Sequence, residues 1–410
     1  MAGESTADPD AQVRPWLFLP FGMAPAVVIG YVMIAVGDEL TRAGVPLGSV
    51  SIMVAAAFLP ATFVFLWAPL VDAVGRRQHW LSAGVLLLCL AAAGLALAPR
   101  TTSMVPVLVS LSASAGFGYS LVSAAQKGLA VSLFTPARRV VAAGWTGTGS
   151  GIGLALGGGL LAVSAQLPGA TIAVLLVALT ALPVAASLAV LELHEVSQMQ
   201  EAVAMSVVVQ ETGRLLGTAP GLLALAICVL PFGSSAAALM VGGLGPDFQA
   251  SASFVGAWAG TVKSLAFAVG ALLGAKLWER IGTMPGLLLT GGGMVALALL
   301  MLVGPKTPAS YAAMATGYGL LQGGSLSAIM GIILQTVEPR AASTQAAVLV
   351  AAGNLHNVYL PPIAGSAHDA GGIEALLLAD AAIGVCGLLL LLLCARLLGQ
   401  RLWRRDRSRG

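Results

Sequence analysis

The chain has 410 residues, of which 58% are hydrophobic and only 9% are charged, and its formal net charge is +3. A soluble domain carries about 25% charged residues, so this composition excludes a water-soluble globular protein. The small net charge gives no indication of a nucleic-acid-binding surface.

Apolar segments of about 20 residues recur along the whole chain, and each is long enough to cross a hydrocarbon core of about 30 Å. Backbone groups within lipid must form hydrogen bonds inside their own segment, so we expect each segment to be a helix. The predicted spans are 16–36, 49–71, 80–98, 103–130, 140–164, 169–191, 220–242, 250–275, 284–304, 308–334, 344–366 and 374–397. The sequence therefore predicts an all-α membrane protein with twelve transmembrane helices.

Five regions follow from these spans. The first fifteen residues are polar and acidic, which argues against a cleaved signal peptide. The linker between spans six and seven mixes glutamates with Val, Met and Leu, a pattern typical of a helix lying on the membrane surface. We predict an N-terminal tail at 1–15, a six-helix bundle at 16–191, a linker with an amphipathic helix at 192–219, a second six-helix bundle at 220–397 and a basic tail at 398–410.

Basic residues gather on one side of the predicted membrane. That side carries Arg76, Arg77, Arg138, Arg139, Lys276, Arg280, Arg340 and the basic tail, whereas the other carries Arg42, Arg100 and Lys306. The positive-inside rule then places both termini in the cytoplasm, in a cytoplasmic (inner) membrane. We expect the basic tail to contact anionic membrane lipid.

Short motifs indicate that the two halves repeat. The corner FLWAPLVDAVGRRQHW, at 65–80, carries Asp72 and Gly75, and Glu279 and Gly282 follow 207 residues later. GFGYS at 116 pairs with GYGLL at 317, and TPARR at 135 pairs with EPRAA at 338. A duplicated six-helix unit of this kind is typical of one large class of transporters.

The corner residues have a physical use. Asp72 can face the positive N-terminal end of a neighbouring helix, and arginines can bind carbonyl groups or lipid phosphate. We predict a cytoplasmic gate that holds the two halves together in one state, formed by Asp72, Gly75, Arg76, Arg77, Glu279 and Arg280. The alternative is a positive-inside loop with an incidental acid.

The same corner resembles the cytoplasmic loop signature of the major facilitator superfamily, although Ala68 and Ala73 stand where that signature has Gly and Arg. FLWAPLVD also resembles a motif of the muropeptide permeases and acetyl-CoA transporters, and of the related ferric-siderophore permeases. GLAVSLFTPARRVVAAGW, GIGLALGGG and STQAAVLVAAGNLHNVYLPPIAG are similar to further stretches of that family. The resemblance implies the major facilitator fold, import by alternating access and proton coupling. Where relatives often carry an acid in helix four, this chain has Gln126 and Lys127.

Ionisable residues inside a membrane are costly, so Lys127 and Lys263 are candidate functional residues. If both lysines reach a central cavity, they favour an anionic substrate; the alternative is a structural lysine that binds carbonyl groups or extends to the membrane surface. The other candidate substrate-binding residues are Tyr119, Gln126, Gln322, Asn354 and Asn357. Hydrogen bonding between helices explains these polar residues equally well.

Three residues are candidates for proton coupling: His356, Asp380 and Asp38. The reference pKa of histidine, about 6.5, suits a proton-coupled step. The alternatives are a packed, hydrogen-bonded histidine and two solvated charges at helix ends. We also expect Pro361 and Pro362 to break or kink span eleven, and the glycines of span five to allow close helix packing.

The sequence predicts a secondary active transporter rather than an enzyme. Its substrate is expected to be a polar, anionic small molecule or conjugate resembling a muropeptide, an acyl-CoA or a ferric siderophore, moved together with a proton or another ion. We expect a monomer with no cofactor. The alternatives are a non-transporting membrane assembly or receptor protein and a membrane acyltransferase, although the loops carry no His-Asp pair or carboxylate dyad for the latter.

Overall fold

A computed structural model describes residues 13–43, 45, 47–159, 167–195, 204–231 and 235–397. This described part of the chain is helical and contains no strand. Most of the predicted N-terminal tail, part of the linker and the basic tail lie outside the described residues.

The helices of the first half are α1 (Leu19–Gly30), α2 (Gly37–Arg42), α3 (Leu47–Thr62), α4 (Ala68–Ala73), α5 (Arg77–Leu97), α6 (Val105–Leu133), α7 (Pro136–Gly159) and α8 (Gly169–Glu195). Helix α9 (Met205–Leu216) lies in the predicted linker. The second half contains α10 (Ala219–Val229), α11 (Ala236–Met240), α12 (Ala252–Val255), α13 (Lys263–Ile281), α14 (Thr283–Val303), α15 (Pro308–Thr336), α16 (Ala342–Gly353) and α17 (His356–Leu397). Two π-helical segments, Tyr31–Val36 and Gly256–Val262, extend α1 and precede α13.

Eight of the twelve predicted spans correspond to helices that are long and apolar enough to cross a membrane. Within the described residues these helices are Pro15–Val36, Arg77–Leu97, Thr102–Leu133, Gly169–Leu191, Ser253–Ile281, Thr283–Val303, Pro308–Thr336 and Ile363–Leu397. Large apolar side chains such as Leu90, Leu182 and Val303 are exposed on them. Contiguous exposed apolar surface of this kind is what lipid covers.

The other four predicted spans are interrupted or less apolar within the described residues. Span two is divided into α3 and α4, and span seven into α10 and α11. Span five is α7, whose many glycines lower its hydropathy. Span eleven breaks at Asn354 and Leu355, between α16 and α17, whereas the prolines lie inside α17. Helix α17 is itself two helices that meet at a kink, because the backbone of Gly371 and Gly372 is not helical.

The repeated corners adopt the same backbone conformation. Gly75, between α4 and α5, has φ +70°, and Gly282, between α13 and α14, has φ +92°. Side chains rarely tolerate this conformation, so glycine is the residue that allows both turns. The prolines of the two repeats also occupy similar places, because Pro136 begins α7 and Pro339 begins the short 3-10 segment before α16.

Glycine allows α7 to contact helices on two sides, as the sequence predicts. A Cβ atom on Gly149 or Gly157 would lie closer than 3.0 Å to a carbonyl of α1, and one on Gly144 or Gly151 would lie equally close to α13. Helix α7 therefore packs within its own half and also against the other half.

Two apolar clusters make up the interior. The larger runs through the first half and continues into α10, α15 and α16 of the second half. The smaller cluster contains α11, Phe248 and the adjoining parts of α15 and α17. We call the end of the bundle that carries Arg76, Arg77, Arg139 and Arg340 the basic end, and the end that carries the smaller cluster the opposite end.

Candidate functional site

The strongest polar contact between the halves is made by Asp72 at the basic end. Asp72 belongs to α4, and its side chain is 0% exposed. One oxygen accepts hydrogen bonds from the backbone N–H and the hydroxyl of Thr344, both at 2.8 Å. The other accepts from the backbone N–H of Ser343 at 3.2 Å. The acid thus binds the first turn of α16, where unpaired N–H groups and the helix dipole favour a negative charge.

Arg77 completes this contact. Its Nη2 and Nε lie 2.7 Å and 3.2 Å from the same oxygen of Asp72, and the Arg77 side chain is 1% exposed. The guanidinium also donates to the carbonyl of Gly128 in α6, at 3.0 Å, and to that of Pro339 in the second half, at 2.9 Å. The buried charge pair is therefore extensively hydrogen-bonded, as a pair removed from water requires.

Gly128 makes room for Arg77. A Cβ atom at this position would lie closer than 3.0 Å to the Arg77 guanidinium and to the hydroxyl of Ser343. The sequence contains no motif that singles out Gly128, because its role depends on how α6, α5 and α16 meet.

Arg139 forms a second bridge between the halves. It is buried at the start of α7 and donates to the carbonyls of Val131 and Phe134, at 2.9 Å and 3.0 Å. A third bond, of 2.8 Å, reaches the carbonyl of Leu334 in α15. From the sequence, Arg139 is only one of the basic loop residues, and EPRAA has Ala342 at the corresponding place, so no repeated signal points to its bridging role.

The other predicted gate residues do not join this contact. Arg76 is exposed, and so are Glu279 and Arg280 at the second corner. Trp278 takes the buried position there and donates to the carbonyl of Gly324 at 2.9 Å. The two corners share a backbone, but only Asp72 is buried against a helix of the other half.

The linker helix α9 lies beside the contact of Asp72 with Thr344 and Ser343. Helix α9 contacts α4 of the first half and α16 of the second. The Gln345 side chain connects two of these elements, because it donates to the carbonyl of Glu211 at 3.1 Å and accepts from the N–H of Glu338 at 2.7 Å. The linker helix is thus connected to the Asp72 contact at the basic end.

A cavity of about 100 Å³ lies between the halves. Helices α1, α6 and α7 of the first half line it together with α15 and α16 of the second. Its polar wall is one face of α6, formed by Tyr119, Ser123, Gln126 and Lys127. The opposing wall is apolar and includes Phe18, Phe21, Pro25, Leu326, Met330, Leu334 and Val350.

Lys127 is the charged residue of this lining. Its ammonium donates to the carbonyl of Ser123, at 3.0 Å, and makes a short hydrogen bond with the Ser123 hydroxyl. The side chain therefore runs back along α6, away from Pro136, and does not extend to the basic end. Two donors are used on its own helix, and an ammonium has three.

Gln126 and Tyr119 share the cavity with Lys127. The Gln126 side chain is 8% exposed, and its carbonyl oxygen is buried without a hydrogen-bond partner. An unpaired buried acceptor costs about 1–3 kcal/mol. A ligand with a donor group would remove that cost, so this wall is suited to binding.

Lys263 occupies a different place. It begins α13, directly after the π-helical segment, and its ammonium donates to the carbonyl of Ala238 in α11 at 2.6 Å. Among the described residues, the cavity lining includes neither Lys263 nor Gln322 nor Asn354. The structure thus brings together three of the predicted substrate-binding residues and separates the two lysines.

The remaining residues near the break of span eleven are half-buried. His356 hydrogen-bonds the backbone of Cys228, and its Nδ1 is buried without a partner. Asn354 lies at the end of α16. The side chains of Asn357 and Asp38 lie outside the described residues.

Asp380 is buried, which corrects the expectation of a solvated charge at a helix end. Its carboxylate accepts from the Ser235 hydroxyl at 2.6 Å, from the Ala236 N–H at 2.7 Å and from the Tyr318 hydroxyl at 3.1 Å. Neither Ser235 nor Tyr318 was predicted as a site residue, because they lie 145 and 62 residues from Asp380 in the chain.

The fold and the family are also visible in comparisons with known proteins. The structure is similar to that of the proton:xylose symporter XylE, with a TM-score of 0.66 and 14% identity over 92% of this chain and 95% of that one. It is similar to the human organic anion transporter MFSD10, with a TM-score of 0.65 and 16% identity over 92% and 99% of the two chains. A bacterial homologue of the iron transporter ferroportin, in an outward-facing state, gives a TM-score of 0.60 and 14% identity over 91% and 99%.

No curated protein matches the sequence. The profile of the Major Facilitator Superfamily matches residues 19–209 and 223–408, which covers most of both halves. This family consists of transporters and not of enzymes, in agreement with the prediction from the sequence. The chain belongs to the Major Facilitator Superfamily.

Proposed function

We propose that this protein is a secondary active transporter whose two six-helix halves alternate between arrangements that open the central cavity to one end or the other. The observation that carries the proposal is the buried contact of Asp72 with Thr344 and Ser343, which joins the halves only at the basic end. A contact made of a few hydrogen bonds at one end can be broken and remade as the halves rotate.

The substrate is proposed to be a small organic anion with an apolar body. A single ammonium, that of Lys127, lies on the polar wall, and the opposite wall is apolar. An anionic group would take the third donor of Lys127, and a neighbouring N–H or O–H would pair with the Gln126 carbonyl. Hydrocarbon or aromatic atoms would then fill the side lined by Phe18 and Met330.

The resemblance to permeases implies muropeptides, acyl-CoA species or ferric siderophores. Each of these is anionic or strongly polar, which agrees with Lys127. Pockets for drug-sized ligands measure about 300–1,000 Å³, whereas this cavity measures about 100 Å³. Substrates of that size require the halves to move apart, and smaller anions do not.

The remaining parts of the proposal concern the membrane and the energy source. We propose a monomer in the inner (cytoplasmic) membrane, with the basic end in the cytoplasm and the tail on anionic lipid. In that orientation, the structure has its cytoplasmic end closed by Asp72. We favour import as the direction and a proton as the coupling ion. The candidate proton carriers are His356, Asp380 and Asp38.

Ligand-induced thermal stabilisation tests the substrate site. Purified wild type, Lys127→Ala and Lys263→Ala would be heated with small aromatic and aliphatic carboxylates, their neutral amides, muropeptides, acyl-CoA species and siderophores with and without iron. A ligand at 100 times its Kd stabilises the folded state by about 2.7 kcal/mol. We expect an anion to stabilise wild type and Lys263→Ala but not Lys127→Ala.

Uptake into reconstituted vesicles then separates a transporter from a receptor. The anion that binds would be offered outside vesicles with an imposed pH gradient. Accumulation that follows the gradient supports proton-coupled transport. Binding without uptake under any gradient would instead support the non-transporting alternative, and equal stabilisation of Lys127→Ala would remove Lys127 from the site.

A further inference from the structure

Asp380 is a buried carboxylate without a cation beside it. Its three hydrogen bonds come from Ser235, Tyr318 and the N–H of Ala236. A buried carboxylate inside a membrane is rare because its charge loses contact with water. The hydrogen-bond donors around Asp380 are neutral, and the Ala236 N–H and Ser235 belong to α11 and its N-cap, so the environment of the carboxyl group depends on α11 remaining in place.

Lys263 binds the same short helix. Its ammonium donates to the carbonyl of Ala238, and Asp380 binds the N–H of Ala236. The negative charge therefore lies at the first turn of α11 and the positive charge at its carbonyl groups, the arrangement that the peptide dipoles favour. The backbone groups that they bind belong to Ala236 and Ala238, two residues apart, so α11 lies between the two intramembrane side chains.

The ionisable groups around Asp380 are few. On α15, Tyr318 binds Asp380 directly. On α13, Lys263 binds the carbonyl of Ala238 in α11. On α10, Cys228 lies beside His356. Neither α11 nor α14 carries an ionisable side chain. On α17 itself, Glu374 is exposed. His368 lies 3.0 Å from Asp247 in a half-exposed pair, which is a separate titratable group at the same end.

We propose that Asp380 is the site at which the coupling proton binds, and that its charge determines whether α11 stays docked against α15 and α17. The proposal rests on the proposed function, because it identifies the coupling site of that transporter. A proton adds to one carboxylate oxygen and forms an O–H group. If this is the oxygen that Ser235 and Tyr318 share, the new O–H donates to one of the two hydroxyls, which must turn to accept it, and the remaining bonds lose their charge assistance.

The weakening of the hydrogen bonds to Asp380 has a structural consequence for α11. Helix α11 is only five residues long, and α10 ends at Val229, so α11 does not continue a longer helix. Its Ala residues pack in the smaller apolar cluster, and the following Val241 accepts a hydrogen bond from Tyr311 at 2.8 Å. Protonation converts the charge-assisted hydrogen bonds that Ser235 and the Ala236 N–H donate into weaker neutral ones. The apolar contact and the hydrogen bonds of Ala238 and Val241 remain, so docking at the opposite end is weakened.

A cysteine-accessibility experiment tests the proposal without a substrate. The full-length chain, with its four native cysteines replaced, would carry Val241→Cys, a position that is 4% exposed when α11 is docked. The labelling rate with a membrane-impermeant maleimide would be measured in vesicles from about pH 8 to about pH 5, a range that spans typical shifted carboxyl and histidine values. Because maleimide reacts with the thiolate, whose fraction falls with pH, the rate would be divided at each pH by that of a cysteine at the exposed position Ser253. We expect this relative rate to rise as pH falls, by up to about tenfold per pH unit for a single proton.

Two variants determine whether Asp380 is responsible. An asparagine at position 380 is neutral at every pH. In Asp380→Asn, the labelling rate of Val241→Cys relative to that of the exposed cysteine should therefore not depend on pH. His368→Gln removes the other titratable pair at this end and should keep the wild-type response. If Asp380→Asn keeps the response, or if His368→Gln alone abolishes it, the proposal is wrong.

Two further variants guard against misfolding of Asp380→Asn. Ser235→Ala and Tyr318→Phe keep the carboxylate but each removes one donor, so the midpoint of the labelling curve should move to higher pH. An unchanged midpoint in both variants overturns the proposal.

A reporter at Ala315→Cys, buried on α15, should stay unlabelled throughout. Because no substrate is present, this result is independent of whether the protein transports the tested anions.

Discussion

Thr344 donates both its backbone N–H and its hydroxyl to a single oxygen of Asp72, across a separation of 272 residues in the chain. The two residues belong to different halves, so the contact exists only when the basic end is closed. The buried Arg77 shares the same carboxylate. This relationship connects one short corner of the sequence to the arrangement of the whole molecule.

Asp72→Asn should destabilise this arrangement. Removing one member of a buried ion pair costs about 3–5 kcal/mol, because the remaining charge stays buried without its partner. We expect a lower melting temperature for the purified protein. Glu279→Gln, at the exposed second corner, is the matched control and should leave the melting temperature unchanged. Equal effects of the two substitutions would mean that burial at Asp72 has no energetic importance.

A prediction of the same kind concerns Arg139. Arg139→Ala removes three hydrogen bonds to carbonyls, one of which reaches Leu334 in the second half. Bonds from a charged donor contribute about 1.5–3 kcal/mol each, so the variant should unfold at a lower temperature than wild type. Arg76→Ala removes an exposed arginine at the same end and provides the control. A stable Arg139→Ala protein would contradict the bridging role.

Gly128→Ala tests the space that Arg77 occupies. A Cβ atom there would meet Arg77 and Ser343 at distances that real side chains do not adopt. The halves should therefore separate at the basic end, which would be observed as faster labelling of a cysteine at Val337, 3% exposed in this structure. Gly292→Ala, in α14, meets nothing within 4 Å and should have no effect on labelling.

The contact of Asp72 with the other half was predictable in part because its signals are local. An acid, a glycine and two arginines at a helix corner indicate a polar contact with a helix terminus, and the structure identifies that terminus as the start of α16. The sequence could not show which of the two repeated acids is buried. Asp72 and Glu279 occupy equivalent turns, but only Asp72 has a helix terminus from the other half beside it.

The short helices were harder to predict. Hydropathy predicts span seven as continuous because α10 and α11 are both apolar, and no change in composition marks the end of α10 at Val229. Asp380 was expected to be solvated because it lies near the predicted end of span twelve. Its burial follows from α11 and Tyr318, which are distant in sequence, so no local pattern indicates it.

The distance between the halves at the basic end tests the central claim most directly. Spin labels at Arg76→Cys and Glu279→Cys, both exposed and in different halves, would report this distance in lipid by double electron–electron resonance. We predict one short distance for the otherwise wild-type chain and an added, longer distance when Asp72→Asn is introduced. An identical single distance in both proteins would contradict a gate that Asp72 holds closed.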